Sequence, residues 1–468
     1  MPATDGWVKY SEWSREYKSD IIHLNACGTH IVVLNSVKAI SDLLDKRSTI
    51  YSSRPFSTMM DMMGWSWSMF FQADDDAFRA QRRHFRQEFD GGAIRRHYPN
   101  ITECAHNLLK CYLEQPERWV EDLRHTVAAM IMDVTFGIQI LPTDDPFVRM
   151  TEAALEGVKE ATVPGRFLVD TIPALRHVPE WMPGAGWKRR AMAWRKHTEA
   201  AFAAPFKTMK DAMANGTAKP CFCVRTLQNA EANGELESEE QHIQAASGNM
   251  FSAAFDTTSI ALETFMLAML LHPEVQQLAQ AELDRVLGSG RLPTFADQES
   301  LPYLSAVMTE CLRWGAIVPL ALPHVLTEND EYHGYFLPKG TIVIASSFHV
   351  LHDEEVYPEP SAFKPERFLK DGEIDPSARN PVMVASFGYG RRVCPGRSLA
   401  EQFTWLMAAC ILATFDISKA VDRDGNVIEP SGRYIMGLAR RHEAFECQIK
   451  PRSSEVRDFI KNSVASEQ

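Results

Sequence analysis

The stretch Phe387-Gly388-Tyr389-Gly390-Arg391-Arg392-Val393-Cys394-Pro395-Gly396 decides how the rest of the chain is read. Glycines at 388, 390 and 396 allow tight turns and let the backbone come close to a flat ligand. The helical run Ser398-Leu-Ala-Glu-Gln-Phe-Thr-Trp-Leu-Met follows at once, so Cys394 sits just ahead of a helix N-terminus. The positive end of the helix dipole and its free N–H groups favour a thiolate there, and Arg391, Arg392 and Arg397 add positive potential. A cysteine picked at random is more often a small buried hydrophobe. A thiolate is the form that binds metal, so this loop reads as a holder for a soft, electron-rich ligand.

The bulk properties leave room for such a site. The chain has 468 residues, 45% apolar and 24% charged, the balance of a globular protein. A net charge of −12 excludes a general nucleic-acid binder, which needs a basic surface. Nine scattered cysteines make no disulfide framework and suit a reducing compartment. Cys221 and Cys223 form a C-x-C pair with no second pair nearby to complete a zinc site. The longest apolar run, Trp405 to Phe415, is about eleven residues, short of the roughly 18 a bilayer span requires. The first residues are polar and carry no signal-peptide pattern.

Helical periodicity dominates from about Ser36 to Glu310, with Pro273 opening and Gly288 closing one amphipathic helix. Strand-like runs are few: His30-Ile-Val-Val-Leu and Thr341-Ile-Val-Ile-Ala, with a terminal hairpin expected near Gly425 to Gly437. The expectation is one mainly helical domain over residues 1–468 with a small sheet at an edge. Val163 to Lys188 holds Pro164, Pro173, Pro179 and Pro183 among aromatic and apolar residues. Prolines break helices, so this is a loop or a set of short helices, either packed on the surface or forming a membrane-touching lid.

The pattern Phe387-x-x-Gly390-x-Arg392-x-Cys394-x-Gly396 resembles the haem-binding loop of the cytochrome P450 superfamily. Four other segments carry the likeness further. Glu310-Cys-Leu-Arg313 places a carboxylate and a guanidinium on one helix face, and Lys364-Pro-Glu-Arg367-Phe resembles the segment that adds a second arginine. By resemblance, Glu310, Arg313 and Arg367 form a buried ion network. Asp256-Thr257-Thr258 lies mid-helix despite poor propensity, which calls for a reason. Either the threonine back-bonds to the preceding turn, or, as the resemblance implies, Asp256 and Thr257 relay protons on the distal haem face where the helix opens. Ala254 stands where the family carries glycine. Phe78-Arg-Ala-Gln-Arg82 resembles the family's Trp-x-x-x-Arg with Phe78 in place of tryptophan.

The resemblance implies a triangular, mainly helical single domain enclosing haem b. Its axial ligand would be Cys394, with Phe387, Gly388 and Gly396 in the binding loop and Arg392, His324 and Arg82 on the propionates. It also implies a monooxygenase that uses O2 and NADPH-derived electrons to oxidise a lipophilic small molecule, such as a terpenoid, steroid or polyketide, in secondary metabolism. No Gly-x-Gly-x-x-Gly follows a strand, so the electrons come from a separate NADPH-cytochrome P450 reductase, or cytochrome b5. Arg79, Arg82, Arg83, Arg86, Arg391 and Arg397 are a candidate patch for steering such an acidic partner. The wording Tyr51-Ser-Ser-Arg-Pro resembles fungal, basidiomycete-type microsomal members. Those start with a membrane helix and hinge not read here, so a full-length form is expected on the cytosolic face of the endoplasmic reticulum. Substrate contacts are expected from Met63, Trp65, Phe255, Val318, Leu320 and Met436. The rival readings are a P450-fold isomerase or dehydratase and a haem carrier or sensor; the Asp256–Thr257 pair speaks against both.

Overall fold

The computed structural model describes residues 6–26, 28–163, 165–288, 290–435 and 437–465, with side chains described only to 461. The helices that build the site are α1 (Asp76–Phe89), α2 (Tyr98–Glu114), α3 (Trp119–Phe136), α4 (Pro146–Ala161), α5 (Gly186–Ala214), α6 (Leu236–Leu271), α7 (Pro273–Leu287), α8 (Pro302–Gly315) and α9 (Arg397–Thr414). α6 is the axle: α1, α3, α5, α8 and α9 all pack on it. It is long and apolar enough to cross a bilayer, unlike the shorter runs read from sequence, but 78% of its apolar window is buried. It is therefore a core helix, its apolar surface mostly covered by protein.

The expected helix at Pro273–Leu287 forms with those limits, and Gly288 ends it at φ +64°. The edge sheet contains β1 (Ile21–Ala26), β2 (Thr29–Leu34), β3 (His324–Val325) and β4 (Ile342–Ala345), in the order β1-β2-β4-β3. β2 and β4 run parallel, Ile31 opposite Ile342, tying the start of the chain to its last third. The late glycine-rich stretch does pair, Tyr434 with His442 and Ile435 with Arg441. Between residues 165 and 185 the chain makes only two 3-10 turns, Leu168–Asp170 and Pro173–His177, as its prolines dictate.

One buried ion network joins α8 to the segment beyond it. Arg313 donates from Nε and Nη2 to the two Glu310 oxygens at 2.6 and 2.8 Å, and Arg367 Nε donates to Oε1 at 3.2 Å. The Lys364 backbone N–H adds 2.8 Å to Oε1, while Arg313 also reaches the carbonyls of Leu351 and Ala362. Glu310 and Arg313 are wholly buried. Deleting one member of such a network strands a charge in the interior, at a cost of about 3–5 kcal/mol.

Two histidines share this positively charged interior. His352 donates to the Phe348 carbonyl at 3.0 Å, and His442 stacks near Trp314. Burial, then Arg313 and Arg440, pushes His352 down to about 3; burial, then Arg440, does the same for His442. Above their ordinary pKa near 6.5 both states are neutral and nothing is gained or lost. As pH falls below it, the unfolded chain takes up protons that the native protein refuses, so stability drops until about pH 3. Stability to urea is expected to fall between pH 6 and 4 with a slope approaching about 1.4 kcal/mol per pH unit for each histidine. The same slope in a His352→Asn/His442→Asn variant would assign the loss to other groups.

Candidate active site

The cysteine loop is held by its own backbone and by a close approach to the N-terminal part of the chain. The Cys394 N–H donates to the Phe387 carbonyl at 2.7 Å, and Gly388 turns at φ +80°. Gly390 has φ +54°, and a Cβ there would overlap the Leu44 carbonyl oxygen, so only glycine fits. Gly396 is the N-cap residue of α9, and no atom lies within 4 Å of where its Cβ would be. The Cys394 sulfur lies deep in the protein, yet the residue is exposed because it faces a cavity of about 440 Å³. Burial raises the thiol pKa, and the Gly396 N–H, Arg82 and Arg397 only partly offset it. Burial thus works against the helix N-terminus and the arginines, which favour the thiolate.

Across the cavity from the loop runs α6, with Ala253, Ala254, Asp256 and Thr257 on the wall. Thr257 Oγ1 donates to the Ala253 carbonyl at 2.8 Å, the back-bond to the preceding turn. α6 is unbroken from Leu236 to Leu271, so the local opening expected of the family does not occur here. Ala254 holds ordinary helical geometry where glycine would loosen it. Asp256 is gripped by two arginines the sequence did not single out: Arg124 at 3.5 Å and Arg441 at 3.4 Å. Arg441 is in turn held by Glu263 at 2.7 and 3.0 Å. Neither arginine stands near Asp256 in sequence, so no spacing pattern could have linked them.

Another part of the wall is cationic. Arg392 donates to the carbonyls of Ser52, Met69 and Gln72 at 2.7 to 2.9 Å and lies 3.7 Å over the Phe78 ring. Phe78 therefore supports the guanidinium through its π face, not through an N–H. Burial lowers Arg392 to about 10 and also lowers Arg82, which donates to the Val393 carbonyl. His324 Nδ1 donates to the Tyr51 carbonyl at 2.6 Å, and burial, Arg54 and Arg392 keep the ring neutral. Arg54 was missed as a site residue. It donates to Leu322 and Pro323, but its buried Nε has no partner, and burial and Arg392 depress its pKa. Arg54, Arg82, His324 and Arg392 all line the cavity. A desolvated cluster of cations with an orphaned donor fits a flat group with acidic edge substituents, its metal facing the sulfur.

The six expected substrate contacts divide. Trp65 and Val318 line the cavity. Met63 and Phe255 are buried away from it: Met63 packs with Met59, Met60 and Val158, and Phe255 lies under Arg124. Leu320 packs against the Tyr10 cluster. Met436 lies outside the described residues. The Met-rich stretch is thus mostly core, because methionine fills irregular gaps there as well as in a pocket. The basic patch is also narrower than expected, since Arg391 pairs with Asp74, Arg79 with Asp74 and Asp76, Arg83 with Glu239 and Arg397 with Glu401. Cys221 and Cys223 are buried, and no metal-binding group of His, Cys, Asp or Glu occurs among the described residues.

A model of the cytochrome P450 family matches residues 4–442. Tryptamine 4-monooxygenase of Psilocybe cyanescens is 41% identical over 459 residues, 97% of this chain and 90% of that protein. Cytochrome P450 monooxygenase 98 of Postia placenta is 42% identical over 464 residues, 98% of this chain and 89% of that protein. Cytochrome P450 monooxygenase ple1 of Rhodocybe pseudopiperita is 40% identical over 463 residues, 98% of this chain and 88% of that protein.

Proposed function

Because this chain belongs to the cytochrome P450 family of haem-thiolate monooxygenases, we propose that the Cys394 sulfur would hold the haem iron and that Arg54, Arg82, Arg392 and His324 would receive the haem propionates. One observation carries this reading: an enclosed sulfur whose open surface faces a cavity, with a cluster of buried cations in the same wall. Haem bound there supplies reductive activation of O2 and insertion of one oxygen atom into the substrate. The protein's own groups do the rest. Gly388 and Gly396 let the backbone come close, and Phe387 shields the sulfur from water. The orphaned Arg54 N–H is a donor that an anion satisfies, and a carboxylate beside His324 would favour protonation of Nε2, since Nδ1 already donates to the Tyr51 carbonyl.

Asp256 and Thr257 are the proton-handling pair. Arg124 and Arg441 hold the Asp256 carboxylate at the cavity wall, where it collects protons from outside. The Thr257 hydroxyl, now bonded to the Ala253 carbonyl, turns to pass them inward. Electrons come from an NADPH-dependent reductase, with cytochrome b5 as a further donor, docked on the cysteine side. The substrate is a lipophilic small molecule of secondary metabolism, consistent with the apolar lining from Trp65, Ile131, Val158 and Val318. The protein works at the endoplasmic reticulum surface. Leu168, Ile172, Trp181 and Met182 stand exposed in the proline-rich segment, Trp181 at 79%, and supply the apolar contact.

The reduced carbon monoxide complex is expected to show the family's red-shifted Soret band, and Cys394→Ser to abolish it; an unchanged band in the variant removes the thiolate assignment. Thr257→Ala is expected to raise the peroxide released per NADPH by about tenfold; full coupling in that variant would take Thr257 out of proton transfer. A Leu168→Ser/Trp181→Ser variant is expected to bind phospholipid vesicles about tenfold more weakly in co-sedimentation. Equal binding would move the membrane contact elsewhere on the surface.

A further inference from the structure

One wall of the cavity holds a buried hydrogen-bond donor with no acceptor and a half-exposed lysine whose one ion pair is long. Trp65 lines the cavity and is 3% exposed, and its buried indole Nε1–H has no acceptor. Its ring is fixed by Trp67 at 5.5 Å and by the edge of Phe71 at 6.3 Å, so the N–H is held in place. Trp65 packs in one cluster with Val158 of α4, and the next residue, Lys159, also lines the cavity. Lys159 is itself 45% exposed, and its ammonium makes only a long ion pair with Glu156, at 3.8 Å on a side chain 64% exposed. An indole N–H can only donate, and an ammonium can only donate.

The other charged groups of the wall are already engaged. Asp256 and Arg441 pair with each other, and Glu401 pairs with Arg397. Arg54, Arg82 and Arg392 belong to the cationic cluster read above as the propionate site. What remains is one cation and one orphaned donor on the wall shared by Trp65 and the last turn of α4. Their complement is an anion with acceptor oxygens, attached to a body that fits an apolar cavity.

We propose that the substrate is a lipophilic carboxylic acid, its carboxylate held by Lys159 and by the Trp65 indole N–H. This rests on the monooxygenase reading and narrows it: the carboxylate anchors the molecule and so selects which carbon faces the oxidising centre. A neutral ester satisfies the Trp65 donor but leaves Lys159 with only its long pair to Glu156. A cationic substrate meets Lys159 as a like charge. Sequence patterning hid this, because one lysine in the last turn of a helix reads as a favourable dipole contact and nothing more.

The test is a set of absorbance titrations on haem-loaded enzyme. Three carboxylic acids of different shape (dodecanoic acid, 3-indolepropionic acid and abietic acid) are each compared with their methyl ester. Only preparations showing the reduced carbon monoxide band are titrated, so failure of the haem-thiolate reading is seen separately and first. At least one acid is expected to bind about tenfold more tightly than its ester, with the advantage shrinking at high salt. Lys159→Met should bring that acid to the affinity of its ester while leaving ester binding and haem content unchanged. Trp65→Phe should weaken the acid about threefold, the loss of one hydrogen bond. Equal affinities in all three pairs, or an acid preference that survives Lys159→Met, would overturn the proposal. So would loss of haem in Lys159→Met, which would assign the lysine to the cofactor.

Discussion

A single carboxylate, Glu310, gathers three otherwise separate pieces of chain in a place without water. Arg313 comes from its own helix, Arg367 and the Lys364 amide from a segment some fifty residues on, and Arg313 carries the contact to Leu351 and Ala362. Ions buried this completely are stable only as a set, because any member alone pays its full desolvation cost. The set therefore fixes where α8 ends. From that end the chain delivers Ile317, Val318 and His324 to the cavity, and from Arg367 it goes on to the cysteine loop. A shift in the network would displace the sulfur and the cationic cluster of the cavity wall together.

The cavity itself is an unfinished electrostatic object. Its thiol is pushed towards the neutral form by burial, and its arginines are depressed by burial and by one another. Each departure is unfavourable alone and becomes favourable once a metal cation faces the sulfur and carboxylates face the arginines. The protein is thus complementary to a cofactor that is cationic at its centre and anionic at its edge. Backbone carbonyls of Ser52, Met69, Gln72, Leu322 and Pro323 aim the guanidiniums without neutralising them.

How much of this was legible in sequence follows from the range of each interaction. The cysteine loop and the Glu310–Arg313 pair are contiguous, so residue type and spacing carry them directly. The amphipathic helix Pro273–Leu287 is legible for the same reason, since its limits are set by a proline and a glycine. Arg124 and Arg441 reach Asp256 from 132 and 185 residues away, and nothing local marks them. Arg54 was in view only as part of a family-like phrase. Its importance lies in an unpartnered Nε, which only three-dimensional accounting reveals. Met63 failed as a pocket residue because a flexible apolar side chain serves core and pocket alike.

The closeness of Gly390 to Leu44 bears on how the protein is made. Contacts of this kind recur around the cavity: Arg392 with Ser52 across 340 residues, Arg82 with Val393 across 311, and β2 beside β4. Loop closure over such distances is slow, and none of these contacts can form until residue 342 or later has been made. Until then the N-terminal sheet strands and the arginines of α1 wait without their partners. The cofactor pocket is thus among the last parts of the molecule to come into existence. Haem capture coincides with the end of folding, and the nascent chain depends until then on whatever keeps its exposed apolar helices apart.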